Sequence, residues 1–141
     1  MTEYRGMCHC GAIGYNYRCD EAPANWAIRA CQCRFCRSHD ALSASDPAAS
    51  IDFEASEPTH LQRYRFGLKT ADFLLCRRCG VYIGALIETP NGCFGIINTH
   101  ALTHPPADLA APMAMHYDDE AVPGRVARRE ERWSPVTGLP T

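Results

Sequence analysis

The sequence predicts an all-β fold, on three observations. Short apolar or alternating runs recur along the chain, each bounded by a turn signal. Helical periodicity is weak throughout. Two close cysteine pairs, "CHC" at Cys8 and Cys10 and "CRRCG" at Cys76 and Cys79, have the form of zinc-binding knuckles, which are tight turns.

The elements follow in chain order. "AIGYNYRC" (Ala12 to Cys19) alternates, with Ile13, Tyr15 and Tyr17 on one side, and reads as a strand. "NWAIRAC" places an apolar residue at every second position from Trp26. One short helical turn is expected around "CRFCRSHDAL". "LQRYRFG" alternates Leu61, Arg63 and Arg65 against Gln62, Tyr64 and Phe66, as a half-buried strand does. "DFLLC", "VYIGALIE" and "CFGIIN" are short apolar runs suited to buried strands. Turn signals lie between them: "CDEAPAN", "SDPAAS", "SEPTH", "CRRCG" and "TPNG". The proline-rich C-terminal third ("THPPADLAAP", "AVPGR", "WSPVTGLP") is expected to be irregular chain wrapped on the sheet. Residues 1–141 read as one domain, with no internal repeat or linker.

Composition narrows the class. Hydrophobic residues make up 46% and charged residues 21%, the balance of a globular chain and not of a disordered one. A net charge of −2, with positive charge dense only in "GRVARREERW", gives no footprint for nucleic acid. No apolar run approaches membrane-spanning length, so no membrane partner is expected. The start, "MTEYRGMCHCG", lacks a basic region followed by an apolar stretch, so a reducing, cytoplasmic setting is expected. There, clustered cysteines bind metal more often than they pair, and an odd count of nine fits poorly with disulfides.

Cys8, Cys10, Cys76 and Cys79 together make a Cys₄ tetrahedron, a closed structural zinc site. In such a site metal affinity becomes folding free energy, of order 10 kcal/mol or more. A redox role for "CRRC" would call for a thioredoxin-like context, and none is present. The remaining cluster is "CQCRFC", with Cys31, Cys33 and Cys36. Three thiolates leave one position of a tetrahedron open, as catalytic zinc sites do. A protein residue, a neighbouring chain or a substrate could fill it. Cys19 and Cys93 sit in apolar strands and read as plain buried residues. His39, His100, His104 and His116 are rivals. "CRRC" with "HALTH" has 20 residues between its halves, beyond the roughly 12 to 15 of finger spacings. Three thiolates make Zn²⁺ a poor generator of hydroxide, and a sulfur-rich site favours a fourth thiolate. An incoming thiol would be held in its nucleophilic form. The chemistry this favours is thiol addition to, or release from, a small electrophile such as an aldehyde.

The order "GMCHCGAIGY", "CQCRFCR", "FLLCRRCG", with later "GIINTHAL", "AMHY" and "RREERW", resembles the glutathione-dependent formaldehyde-activating enzyme family, which includes centromere protein V-like domains. The resemblance covers roughly residues 5 to 133. It implies a β-tent of antiparallel sheets and two zinc ions. One would be structural, on Cys8, Cys10, Cys76 and Cys79; the other catalytic, on Cys31, Cys33 and Cys36. It also implies a carbon–sulfur lyase resembling S-(hydroxymethyl)glutathione synthase, which joins glutathione, or a similar thiol, and a small aldehyde. Gln32, the "SHDA" after Arg37 and the "NTHAL" segment depart from the family's usual pattern, so the ligands are intact while the pocket rim differs. Arg34 and Arg37 are the nearest groups for a carboxylate of the thiol, although Arg34 in solvent and Arg37 as a loop fastener are the commoner roles. His39 or Asp40 could relay a proton. Trp26 and Trp133 read as core. The competing function is a non-catalytic zinc-binding module for a protein or small ligand, its triplet completed by a buried fourth residue.

Overall fold

In the computed structural model, which describes residues 1–140, eleven strands form one continuous sheet with two α-helices beside it. Strand β1 (Thr2–Met7) pairs antiparallel with β2 (Ile13–Cys19). A 3₁₀ turn follows at Pro23–Asn25, then β3 (Arg29–Cys31), helix α1 (Arg34–Ser38), β4 (Ser43–Ala44) and β5 (Ser50–Ala55). The middle of the chain is a meander: β6 (Leu61–Tyr64), β7 (Asp72–Cys76), β8 (Tyr82–Thr89) and β9 (Gly92–Asn98), each antiparallel to the next. Beyond it lie β10 (Met113–Met115), helix α2 (Val122–Arg132) and β11 (Ser134–Gly138).

The expectation of a mostly β chain holds, and the single short turn of helix falls on α1. The C-terminal third is irregular only in part: "THPPADLAAP" (103–112) forms neither helix nor strand, but a helix and a strand follow it. Its eleven-residue helix starts with a proline in the first turn, where the missing N–H costs nothing. The strand after it is inserted into the sheet. The sheets are also not wholly antiparallel: β10 runs parallel to β3, and β11 parallel to β5. "NWAIRAC" buries Trp26 and Ile28 as its alternation requires, yet its ladder covers only Arg29–Cys31. "LQRYRFG" gives a four-residue strand paired on one side only, with Gln62, Arg63 and Tyr64 exposed, so it is an edge.

The strand order β1-β2-β5-β11-β9 shows how the two halves meet. Val136 and Gly138 pair with Ile51 and Asp52, while Ser134 and Pro135 of the same strand pair with Gly95 and Phe94. β11 is therefore the seam between the β1-β2-β5 layer and the meander. Between the halves lies the larger core, with Ile13, Tyr15, Tyr17, Trp26, Ile51, Phe53, Leu74, Ile83 and Ile97. A second core, with Phe73, Tyr82, Ala85, Ile87, Ile96 and Trp133, covers the other face of the meander. With both faces buried, β8 reads as a continuous apolar run and not as an alternation.

Alternation nonetheless assigns its side chains, with one interruption. Leu74 pairs with Gly84 and Leu75 with Tyr82, so Ile83 is an extra residue, a β-bulge. Ala85 and Ile87 point into the second core and Leu86 into the first. The bulge shifts the phase by one, and Tyr82 joins the second core although its number is even.

Candidate metal centres and the cavity beside them

Two hairpin turns build the first cysteine group. The β1–β2 turn carries Cys8 and Cys10; the β7–β8 turn carries Cys76 and Cys79. Each turn is closed in the same way: Cys8 N–H donates to Ile13 O at 2.9 Å, and Cys76 N–H to Val81 O at 3.1 Å. Each has a glycine with positive φ directly after its second cysteine, Gly11 at 84° and Gly80 at 81°. Only a residue without a Cβ takes that conformation freely. The four Sγ atoms lie within 4.8 Å of one another, with Cys8 to Cys10 at 3.7 Å and Cys10 to Cys76 at 3.5 Å. A tetrahedron with 2.3 Å Zn–S bonds has edges of about 3.8 Å, so the donor set fits zinc. Backbone N–H groups of Ile13, Arg78 and Cys79 point at Cys8 or Cys76 sulfur at 3.4 Å. The Arg78 guanidinium beside Cys10, itself held by Glu57 at 2.6 Å, draws that thiol down to about 6.

The second group is Cys31 at the end of β3 with Cys33 and Cys36 around the start of α1, and their Sγ atoms also lie within 4.8 Å of one another. Cys33 caps the helix, accepting from the Cys36 N–H at 3.4 Å. Hydrogen bonds from the Cys31 and Cys36 thiols push Cys33 strongly toward thiolate. Three soft sulfurs converging on one point fit a zinc ion with one position left over. Among the described residues no histidine, cysteine or carboxylate joins the three. His100 lies 3.9 Å from Asp40, His104 against Thr103, and His116 is exposed, so none of the rival histidines is a ligand here. Cys19 is buried in the larger core and Cys93 half-buried, as expected of residues that only pack.

Beside the triplet is a cavity of about 220 Å³. Phe66, Phe73, Tyr82, Ile96 and Trp133 give it apolar walls, and Arg29, Arg125, Arg128 and Arg129 give it a basic one. The last three come from α2, at the i, i+3, i+4 spacing that puts residues on one face of a helix. Glu120 neutralises two of them, accepting from Arg128 at 2.7 Å and from Arg125 at 3.3 Å. Arg128 also lies 3.7 Å over the Tyr117 ring. Arg129 donates to Thr70 Oγ1 at 2.7 Å and stacks 4.8 Å over Trp133. Burial lowers it to about 10, so it stays charged at neutral pH.

Sequence reasoning singled out other groups. Arg34 is exposed and lines a separate surface groove with His39. Arg37 donates to Gln32 O at 3.1 Å and fastens the loop. His39 packs on Phe35, ring centroids 4.6 Å apart, and Asp40 is exposed; neither lines the cavity. Trp26 is core, against Tyr4 and Tyr17. Trp133 is buried too, but as cavity wall. The arginine wall went unseen, because the only signal for it was "RVARRE", charge at helical spacing beside a proline and a glycine.

The sequence model of a family described as "Glutathione-dependent formaldehyde-activating enzyme" matches residues 3–119. The chain belongs to that family. The match takes in all seven clustered cysteines and stops before α2 and "RREERW". A crystal structure of a Rhodobacter sphaeroides protein is similar, with 27% identity and a TM-score of 0.59 over 79% of this chain and 99% of that one. Among curated proteins no match is found. Membership of a formaldehyde-activating family agrees with the chemistry of the two thiol clusters, and no helix is long and apolar enough to cross a membrane.

Proposed function

We propose that this chain, as one domain, is a zinc-dependent carbon–sulfur lyase working as a thiol–aldehyde adduct synthase, on glutathione or a similar thiol and a small aldehyde. One observation carries the reading: three cysteine sulfurs converge with no fourth protein ligand, at the wall of a cavity. Cys8, Cys10, Cys76 and Cys79 would hold a structural zinc that ties the two hairpins together. Cys31, Cys33 and Cys36 would hold the second. Zinc there supplies one thing, a fourth position that keeps an incoming thiol as its nucleophilic thiolate at neutral pH.

The rest falls to the chain. The carbonyl partner enters from the cavity, where Phe73, Ile96 and Trp133 limit water. A carbon–sulfur bond forms, the carbonyl π bond opens onto oxygen, and that oxygen takes up the proton the thiol gave up. Tyr82, buried and kept neutral by its surroundings, presents a hydroxyl with no protein partner on this side. Its O–H would donate to the developing alkoxide. A reducing, cytoplasmic location suits seven thiols that must stay unoxidised.

The test is zinc per chain in protein purified anaerobically, before and after zinc with glutathione. A rise from about one to two is expected for the wild type, against one throughout for Cys33→Ser, which should keep its fold. Cys76→Ser should lose the fold. If Cys33→Ser unfolds as badly as Cys76→Ser, the triplet is structural, and the chain is a non-catalytic zinc-binding module.

A further inference from the structure

The cavity is larger and more basic than formaldehyde requires. Its 220 Å³ would hold several waters at about 30 Å³ each, whereas a one-carbon aldehyde needs little more than one such space. Arg29 and Arg129 both line it, and among the described residues neither makes a salt bridge. Arg29 donates from Nη2 to Ser45 Oγ at 2.5 Å and Arg129 from Nη1 to Thr70 Oγ1, both neutral partners. The Nε of each is buried without an acceptor, and so is the Tyr82 hydroxyl. Arg129 is 8% exposed and Tyr82 2%. These are the three buried polar side-chain atoms without a partner among the described residues, and all three belong to residues that line one cavity, Arg29 being half-buried as a whole. Buried guanidinium groups are rare unless an anion meets them, because desolvation of a lone charge costs several kcal/mol. The carboxylate of Asp118 lies at the rim, exposed, and bonds to neither.

We infer that the cavity beside Cys31, Cys33 and Cys36 binds a compact carboxylate-bearing molecule, its carboxylate taken by Arg29 and Arg129 and its reacting end turned to the triplet and Tyr82. A carboxylate only accepts, on two oxygens with about four lone-pair sites, which matches donors that have lost water. The hydroxyl formed at the reacting carbon offers one oxygen and cannot serve three donors. The volume falls below the roughly 300–1,000 Å³ of sites that enclose larger ligands, so the molecule is short, a few carbons between its carboxylate and its reacting atom. Arg129 stands on α2, beyond the residues matched to the family model. The inference rests on the reading of the triplet as the thiol site. The carboxylate can be on the thiol, as in a mercapto acid, or on the carbonyl partner, as in a 2-oxo acid.

Two comparisons on cobalt-loaded protein separate these sources. In the first, 3-mercaptopropionate and its uncharged isostere 3-mercaptopropionamide are titrated, with binding read by calorimetry and by the cobalt–thiolate absorption bands. In the second, glyoxylate and glycolaldehyde are compared for consumption of one fixed neutral thiol. We expect the acid to be favoured about tenfold or more in one comparison, and the preference to fall below about threefold in Arg129→Gln. Arg129→Lys should keep part of it, and Arg29→Gln is the second variant should Arg129→Gln fold poorly. No preference for the acid in either comparison of the wild type overturns the inference, and moving cobalt bands would then leave the thiol site standing. A calorimetric preference for the acid with unmoved bands upholds the carboxylate site and sinks the thiol reading instead.

Discussion

Gly80 shows how much of the first cluster depends on a single backbone angle. It sits at φ 81° directly after Cys79, and a Cβ there would meet nothing within 4 Å. Any effect of Gly80→Ala is therefore conformational and not steric. It should cost about 1–2 kcal/mol, the usual penalty for an L side chain in the left-handed region, and Gly80→Asn should cost less. Chemical denaturation of the zinc-loaded protein checks the order; equal stability of all three would mean that the turn relaxes. Gly84 makes the opposite case. Its φ is ordinary, but a Cβ would lie 2.4 Å from Ile96 O, so the constraint there is the close approach of β9. "CRRCG" could be read as a knuckle because its glycine announces itself by position. The role of Gly84 could not be read, since it depends on a strand that follows later in the chain.

At the scale of elements, α2 is fixed by one acid. Glu120, just ahead of the helix, accepts from Arg128 at 2.7 and 2.9 Å and from Arg125 at 3.3 Å, and these bonds hold its carboxyl below the usual range. A carboxylate lowered on folding adds stability that is complete above its unfolded pKa, about 4.3, and is lost as pH falls through the folded value. Glu120→Gln should thus cost about 1–2 kcal/mol at pH 7 and progressively less below pH 4. A pH series of denaturant midpoints for the two proteins measures this, and a constant difference would show that charge plays no part. The same helix marks the limit of sequence reading. "DFLLC", "VYIGALIE" and "CFGIIN" were legible as strands because both their faces are apolar. α2 buries chiefly arginine, so the apolar period that reveals a helix is missing, and Pro123 and Gly124 looked like breakers. The bulge at Ile83 was equally hidden: alternation alone would turn Tyr82 away from the triplet. The cysteines were read correctly as two groups because metal-ligand spacing is local, whereas the cavity wall is assembled from β3, β8 and α2, far apart in the chain.

For the molecule as a whole, β11 joins the halves at one place, and the Cys₄ group, once it holds zinc as proposed, would join them at another. The knuckles join residues 66 apart in the chain, Cys10 and Cys76, one from each half. Graded chelation should therefore proceed in two steps. The three-cysteine site should empty first with the circular dichroism unchanged, and the four-cysteine site second with loss of the fold. A single step that takes both metals and the fold together would show that the triplet is also part of the scaffold. The seam strand carries a consequence for biosynthesis. Val136 and Gly138 pair with Ile51 and Asp52, whose other partners, on β2, emerge from the ribosome much earlier. At the usual pace of about 5–20 residues per second, the β1-β2-β5 layer waits several seconds for its last neighbour. Throughout that interval β5 offers an unpaired edge and the clustered thiols await metal. A nascent chain stalled at Trp133 should be captured by chaperones and oxidants that ignore one released past Gly138.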